Sequence, residues 1–427
     1  MNCISLKNRS ISILTTCLVV TLFSRVPIAA QTYNYVFDLD IYAVQLRSAS
    51  SLPLVDLRAS GGALLLEFDH LGDDMRDYGY SLVHCNSDWE PSELDNNEYI
   101  DGFTEDRITD ITNSFNTLMP YTHYKLGLPN RNMRWLVSGN YVLRVFDKDD
   151  DDKLVITRRF MVVERQWGIT ADFVPTTRVE KRNGWHEIDF SVIPKNMRIS
   201  NPQNDVNVFV LQNGRWDNAI GPLKPVFTRG ESLSFDFQDV VTFPAGKEYR
   251  YFDMRTFDYR GEGIKIITEK PTYYEVTLGT DESRADKTYT YLADLDGGFF
   301  IGNQNYNQTM LQCDYASVLF SLKQNLPLED ADVYVFGELT DWQLKPEFLM
   351  KYSHEASMYY CEAFLKQGYY NYAYVMYDHQ TSQLDPEGFE GNWYETGNNY
   401  TILTYFRPFG ARYDRLMGGL TLNSSRN

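Results

Sequence analysis

Two stretches of strict period-two alternation constrain this chain more than any other feature. Tyr80, Leu82 and His84 alternate with Ser81, Val83 and Cys85, and Tyr141, Leu143 and Val145 alternate with Val142, Arg144 and Phe146. That period belongs to a strand with one face packed and is incompatible with an amphipathic helix. The segment between them, Asn86 to Ser138, is far longer than a usual hairpin connection and too polar to form a core of its own. It nevertheless carries Trp89, Tyr99, Phe103, Phe115, Tyr121, Tyr124 and Trp135. Rings at that density must be covered, either by this protein or by a partner. On this reading Trp89, Tyr99, Phe103, Tyr121, Tyr124 and Trp135 are the candidate partner-binding residues, and Ile108 to Phe115 is expected as a short helix that presents some of them.

The rest of the chain repeats the strand signal. Leu64, Leu66 and Phe68 alternate with Ala63, Leu65 and Glu67, and Leu154 to Val163 returns against Tyr141 to Phe146. The acidic run from Asp147 to Lys153 between those two is read as a solvated hairpin tip. A calcium loop would need a Gly at its sixth position and a Glu at its twelfth, where Asp152 and Arg158 stand. Aromatic residues are abundant, with 31 Tyr, 25 Phe and 7 Trp, while long helical-period runs are scarce. The fold class is therefore all-β, as tandem immunoglobulin-like β-sandwich domains. Pattern breaks at Arg165-Gln166-Trp167-Gly168 and near Gly279 divide 427 residues into sandwiches over 31–165, 166–290 and 291–427.

Residues 1–30 have the form of a cleaved signal peptide: Lys7 and Arg9, an apolar run from Ile11 to Phe23, then Pro27 to Ala30. The apolar run is too short to span a bilayer. Cys17 is a poor lipidation site, because Leu18, Val19 and Val20 continue the apolar run after it. Beyond residue 30 the chain carries 37 basic against 58 acidic side chains, a balance that disfavours nucleic acid and anionic lipid as partners. Three cysteines remain there, Cys85, Cys313 and Cys361; buried thiols on separate strands are favoured over a Cys313–Cys361 bond.

From Asp294 onward the spacing of Val335-Phe-Gly-Glu-Leu-Thr-Asp-Trp342, Met350 and Tyr369 to Tyr372 makes the last domain similar to the early-set immunoglobulin-like modules attached to glycan-handling enzymes. Some of those modules bind sugar through exposed tryptophans. Packing of Trp342 and Tyr372 in the sandwich core is the favoured reading here.

The segments HCNSDW (84–89), EYIDGF (98–103), NSFNT (113–117), YTHYKLGLPN (121–130), SGNYVLRVF (138–146) and TRRFMVVE (157–164) resemble, in order, the plug-protein family of the type IX secretion system of Bacteroidetes. The likeness continues through CDYASVLFSL (313–322), LKQGYYNYAYV (365–375), ETGNNYTILTYFRP (395–408) and RYDRLMGG (412–419). Gly397 departs from the family pattern, at a position with no assigned role. The resemblance implies a non-enzymatic periplasmic protein, with no cofactor and no direct membrane insertion, that docks on the periplasmic mouth of the outer-membrane translocon barrel and seals it between substrates. Other periplasmic secretion components are further implied partners.

Residue patterns for catalysis are weak. The six histidines lack zinc-ligand spacing, and GxSxG, P-loop and dinucleotide signatures do not occur. A Cys85 nucleophile served by His123 is the one dyad worth naming, and a structural thiol is the stronger expectation. The alternative from another class is a secreted or surface carbohydrate-binding β-sandwich protein built around Trp342 and Trp393.

Overall fold

The computed structural model describes residues 32–49, 52–72, 74–195, 197–306 and 309–426, so the leader read in residues 1–30 lies outside it. The described chain is all-β, built as three two-sheet sandwiches.

In the first sandwich one sheet runs Tyr35–Val36, Lys153–Val163, Gly139–Asp147, Tyr78–Cys85 and Glu105–Arg107, with Leu54–Asp56 added parallel to Lys153–Val163. The other runs Ile41–Arg47, Leu64–Leu71, Tyr121–Leu128 and Asp110–Asn113. The two alternating segments are neighbours, with Tyr141 opposite His84, Leu143 opposite Leu82 and Val145 opposite Tyr80. Their inward residues meet Leu64, Leu66, Phe68, Tyr124 and Leu126 in one core. Phe68 stacks on Tyr124 at 5.0 Å, and Tyr141 on Phe160 at 5.2 Å.

Asn86–Ser138 is part of the framework. It supplies an edge strand to the first sheet, two strands to the second, and a separate ribbon of Ile100–Gly102 with Met133–Trp135. The helix expected over Ile108 to Phe115 is instead the extended strand Asp110–Asn113, paired to Tyr121–Leu128. Ile108, Thr109, Ile111 and Thr112 are β-branched, so an edge position beside a waiting partner outweighs any local helical tendency. Asp147 and Lys153 close the acidic hairpin as predicted. At its tip Lys148 pairs with Glu105 and Asp152, and Lys153 with Asp38 and Asp150.

Strand pairing divides the remainder differently from the contiguous ranges 166–290 and 291–427. The second sandwich packs the sheet Gly168–Val174, Trp185–Ile193, Ser232–Phe235, Phe227–Arg229 against Ile220–Leu223, Val206–Gln212, Asn399–Phe406, Arg415–Asn423. Its last two strands thus come from the end of the chain. The third sandwich is inserted ahead of these two strands and begins earlier than expected, at Arg250–Asp253. Its long strand Gly368–Asp378 pairs with Arg250–Asp253, Phe299–Ile301, Ala331–Phe336 and Gln383–Asp385. The facing sheet runs Ile264–Glu269, Tyr274–Leu278, Tyr315–Lys323, Met358–Lys366, Lys351–Ser353. Alternation reveals that Asn399–Phe406 is a strand but not which distant strand completes its ladder. Tyr372 is buried in the third core as expected, whereas Trp342 is half-buried at a domain junction, its ring under the Arg215 guanidinium at 4.7 Å.

Cys85, Cys313 and Cys361 are buried, and no disulfide joins them to one another. Burial pushes each up to about 12. Alkylation by iodoacetamide at neutral pH is therefore expected to be negligible on the folded protein and complete after denaturation; rapid labelling of the native state, read by mass spectrometry, would contradict this.

Candidate functional site

A buried polar cluster lies where the first and third sandwiches meet. Along Leu64–Leu71, Leu64, Leu66 and Phe68 enter the first core, so the period of two turns Glu67 and Asp69 onto the opposite face. The third sandwich covers that face. Asp69 and Lys366 both have fully buried side chains and form an ion pair through Asp69 Oδ2. The same oxygen accepts from the Tyr315 hydroxyl at 2.6 Å, and Oδ1 pairs with Nδ1 of His123 at 2.7 Å. His123 Nε2 lies 3.6 Å from Glu67, which in turn pairs with Arg47 at the rim. The other bonds of the Lys366 ammonium close the cluster: it donates to the Met310 carbonyl at 2.8 Å and lies 4.1 Å from the centre of the Tyr121 ring.

Burial alone would raise both carboxylates and lower the histidine. For Asp69 that push is overcome by Lys366 and then by His123, which hold it below the usual range. For Glu67 the His123 and Arg47 contacts bring it down to about 2, and for His123 the bonds to Asp69 and Glu67 hold it above its ordinary value. The carboxylates contribute stability that is complete above their unfolded values, 4.5 for Glu67, and is lost as pH falls toward about 2. His123 contributes stability that is complete below 6.5 and is lost as pH rises through its raised folded value. Thermal midpoints are therefore expected to form a plateau between those limits and to fall on both sides. His123→Gln should abolish the alkaline fall, and an unchanged alkaline limb would remove this account.

A second seam joins the first and second sandwiches. Cys85, Trp89, Val142, Met161 and Val163 pack against Phe209, Leu211, Leu403, Tyr405 and Leu416. Trp89 is held edge-on to Trp216 at 5.1 Å, with the Arg159 guanidinium over its ring at 4.2 Å. Around this apolar centre Glu164 accepts two bonds from Arg415, at 2.9 and 2.7 Å, and one from Ser138 at 2.8 Å. The Tyr405 hydroxyl donates to Asn140 at 2.7 Å.

Five of the six residues read from the sequence as partner anchors are therefore turned inward. Trp89 belongs to the second seam. Tyr99 is buried under its own sheet, donating to the Leu82 carbonyl at 3.2 Å, Tyr124 is stacked in the first core, and Trp135 packs on Phe160. Tyr121 does anchor an interface, but an internal one: its hydroxyl donates to the carbonyls of Met310 and Cys313 in the third sandwich, at 2.8 and 3.0 Å. Only Phe103 is open, at 61% exposure, on the ribbon that also exposes Leu136. Asp69, Tyr315 and Lys366, which carry the first seam, went unread. The available signal was a pair of acids, Glu67 and Asp69, on one face of a strand otherwise among the most apolar in the chain.

The Cys85–His123 dyad does not assemble. His123 is committed to Asp69 and Glu67, while the Cys85 thiol donates to the Val83 carbonyl at 3.9 Å. Strand direction sends the two side chains into different seams.

These features define a tandem β-sandwich protein whose domains are locked together by buried polar and apolar seams. The first sandwich matches the family model described as Type 9 secretion system plug protein 1st domain over residues 40–164. The chain is 36% identical to a hypothetical protein from Parabacteroides merdae of known crystal structure, covering 92% of this chain and 99% of that one with a TM-score of 0.87. It belongs to the type IX secretion system plug protein family. A fragment of native alpha-2-macroglobulin from Escherichia coli aligns over 48% of this chain and 91% of its own, at 10% identity and a TM-score of 0.18, and carries no argument. No curated protein matches.

Proposed function

We propose that this protein is a non-enzymatic periplasmic plug that docks on the periplasmic mouth of the type IX outer-membrane translocon barrel and closes it when no substrate is passing. Family membership supports a plug role in type IX secretion. The observation that carries the mechanical half of the reading is the pair of buried seams. A stopper for a wide barrel must resist deformation, and sandwiches joined through Lys366–Asp69 and Arg415–Glu164 present one stiff body. Among the described residues no helix is long and apolar enough to cross a membrane.

The docking face lies, on this reading, at the Ile100–Gly102 and Met133–Trp135 ribbon, where Phe103 and Leu136 remain exposed. The test is conductance of the purified barrel in a planar bilayer. Added plug is expected to close it, and Phe103→Asp with Leu136→Asp to weaken closure by about 1–3 kcal/mol of binding while the thermal midpoint holds. Undiminished conductance with saturating wild-type protein would end the reading. The carbohydrate-binding alternative gains nothing from its two tryptophans: the ring of Trp342 is engaged by Arg215 and by Phe336 at 5.6 Å, and that of Trp393 by Lys247 at 5.6 Å.

A further inference from the structure

The chain crosses from the second sandwich to the third near Ala245–Tyr249 and returns through Thr396–Asn398, and between these crossings lies a cavity of about 370 Å³. Its walls come from both domains: the Gln212–Ile220 turn and Phe243 on one side, Phe336, Val375 and Leu384 on the other. A volume of this size lies in the range of small-molecule sites, which also favour domain junctions.

Several donors of the lining are engaged within the protein. Arg215 gives Nε and a terminal nitrogen to Asp217 at 3.1 and 2.6 Å. Lys247 gives Nζ to the carbonyls of Arg284 and Lys287 at 3.3 and 3.0 Å. The amide nitrogens of Gln212, Asn218, Asn213 and Asn398 go to Pro244 O, Gln212 Oε1, Asn398 Oδ1 and Ala245 O, at 2.7, 3.0, 2.8 and 2.8 Å. Three further polar oxygens can accept, and one of them, the Thr242 hydroxyl, can also donate. Asn218 Oδ1, Thr242 Oγ1 and Glu248 Oε2 are buried in the lining with no hydrogen-bond partner among the described residues, and Thr242 and Glu248 are 7% and 3% exposed. Buried acceptors left unmatched are costly, and an occupant that supplies N–H or O–H groups would recover that cost.

We propose that this junction is a binding site for a small, donor-rich ligand that lays an apolar frame on Phe243 and Val375 and gives hydrogen bonds to Asn218, Thr242 and Glu248. Two sources share that chemistry, a neutral polyhydroxyl ring and a primary amine. Polycarboxylate anions do not, because their carboxylates would meet Asn218 Oδ1 and Glu248 Oε2 acceptor to acceptor. The site is independent of docking at the translocon. Because it is built from both sandwiches, an occupant also braces the one junction that the two seams above leave unspanned.

The test is isothermal titration of the full protein with glucose, cadaverine and citrate in turn. One of the first two is expected to bind saturably and citrate not at all. Binding of glucose assigns the polyhydroxyl source, and binding of cadaverine the cationic one. Thr242→Val with Glu248→Gln, which nearly preserves shape, is expected to weaken the successful probe about tenfold or more with the thermal midpoint held. Should that variant fold poorly, wild-type crystals soaked in the same probe decide, and density between Asn218, Thr242 and Glu248 is the expected result. Saturable citrate binding, no binding of either donor probe, affinity indifferent to a well-folded variant, or density confined elsewhere would each overturn the proposal.

Discussion

Lys366→Met is expected to destabilise the protein by about 3–5 kcal/mol, the cost of stranding one member of a buried ion pair. The ammonium is enclosed together with Asp69, and neither has access to water. Removing it leaves the Asp69 carboxylate with the Tyr315 hydroxyl and His123, and it also leaves the Met310 carbonyl with the Tyr121 hydroxyl in place of two donors. The loss belongs to the junction of the first and third sandwiches, so urea unfolding should separate into two transitions where the wild type shows a more nearly joint one. Asp69→Asn added to Lys366→Met should cost less than the sum of the singles, with a coupling of about 0.5–3 kcal/mol. A midpoint for Lys366→Met equal to wild type would mean that the pair contributes nothing to holding the domains together.

Trp89→Ala is expected to cost about 3–5 kcal/mol as well, the usual range for emptying a large buried aromatic site. Its ring fills the seam between the first and second sandwiches and also carries the Arg159 guanidinium, so the deletion removes packing and exposes a buried cation at once. Phe103→Ala is the internal control. That side chain is exposed, and its loss should change stability by no more than about 0.5 kcal/mol. Denaturant midpoints of the two variants separate a core role from a docking role. A Trp89→Ala protein that melts like wild type but loses affinity for the barrel would restore Trp89 as a partner anchor.

Amino-acid order alone determined the class of structure. Alternation at Tyr80–His84, Tyr141–Val145 and Leu64–Phe68 reports which residues face a core, because a strand has a period of two whatever its neighbours are. Turn chemistry was equally local: Asn213 and Gly214 adopt the left-handed conformation their types favour, and the acidic run closes a hairpin. Family membership was also readable, since it rests on ordered motifs.

What covers the second face of a strand is not local information. An outward Tyr on an isolated sheet and a Tyr meeting another domain have the same sequence signature, so Tyr121 read as a partner anchor when its partner is the third sandwich of the same chain. The same limit hid the pairing of Val206–Gln212 with Asn399–Phe406, where any strand of matching pattern would serve as well. Tertiary structure alone brought Asp69 to Lys366 and set the acceptors Asn218, Thr242 and Glu248 around one cavity. A charge can be buried only where its counter-charge arrives from elsewhere in the chain, and only the completed fold fixes that arrival.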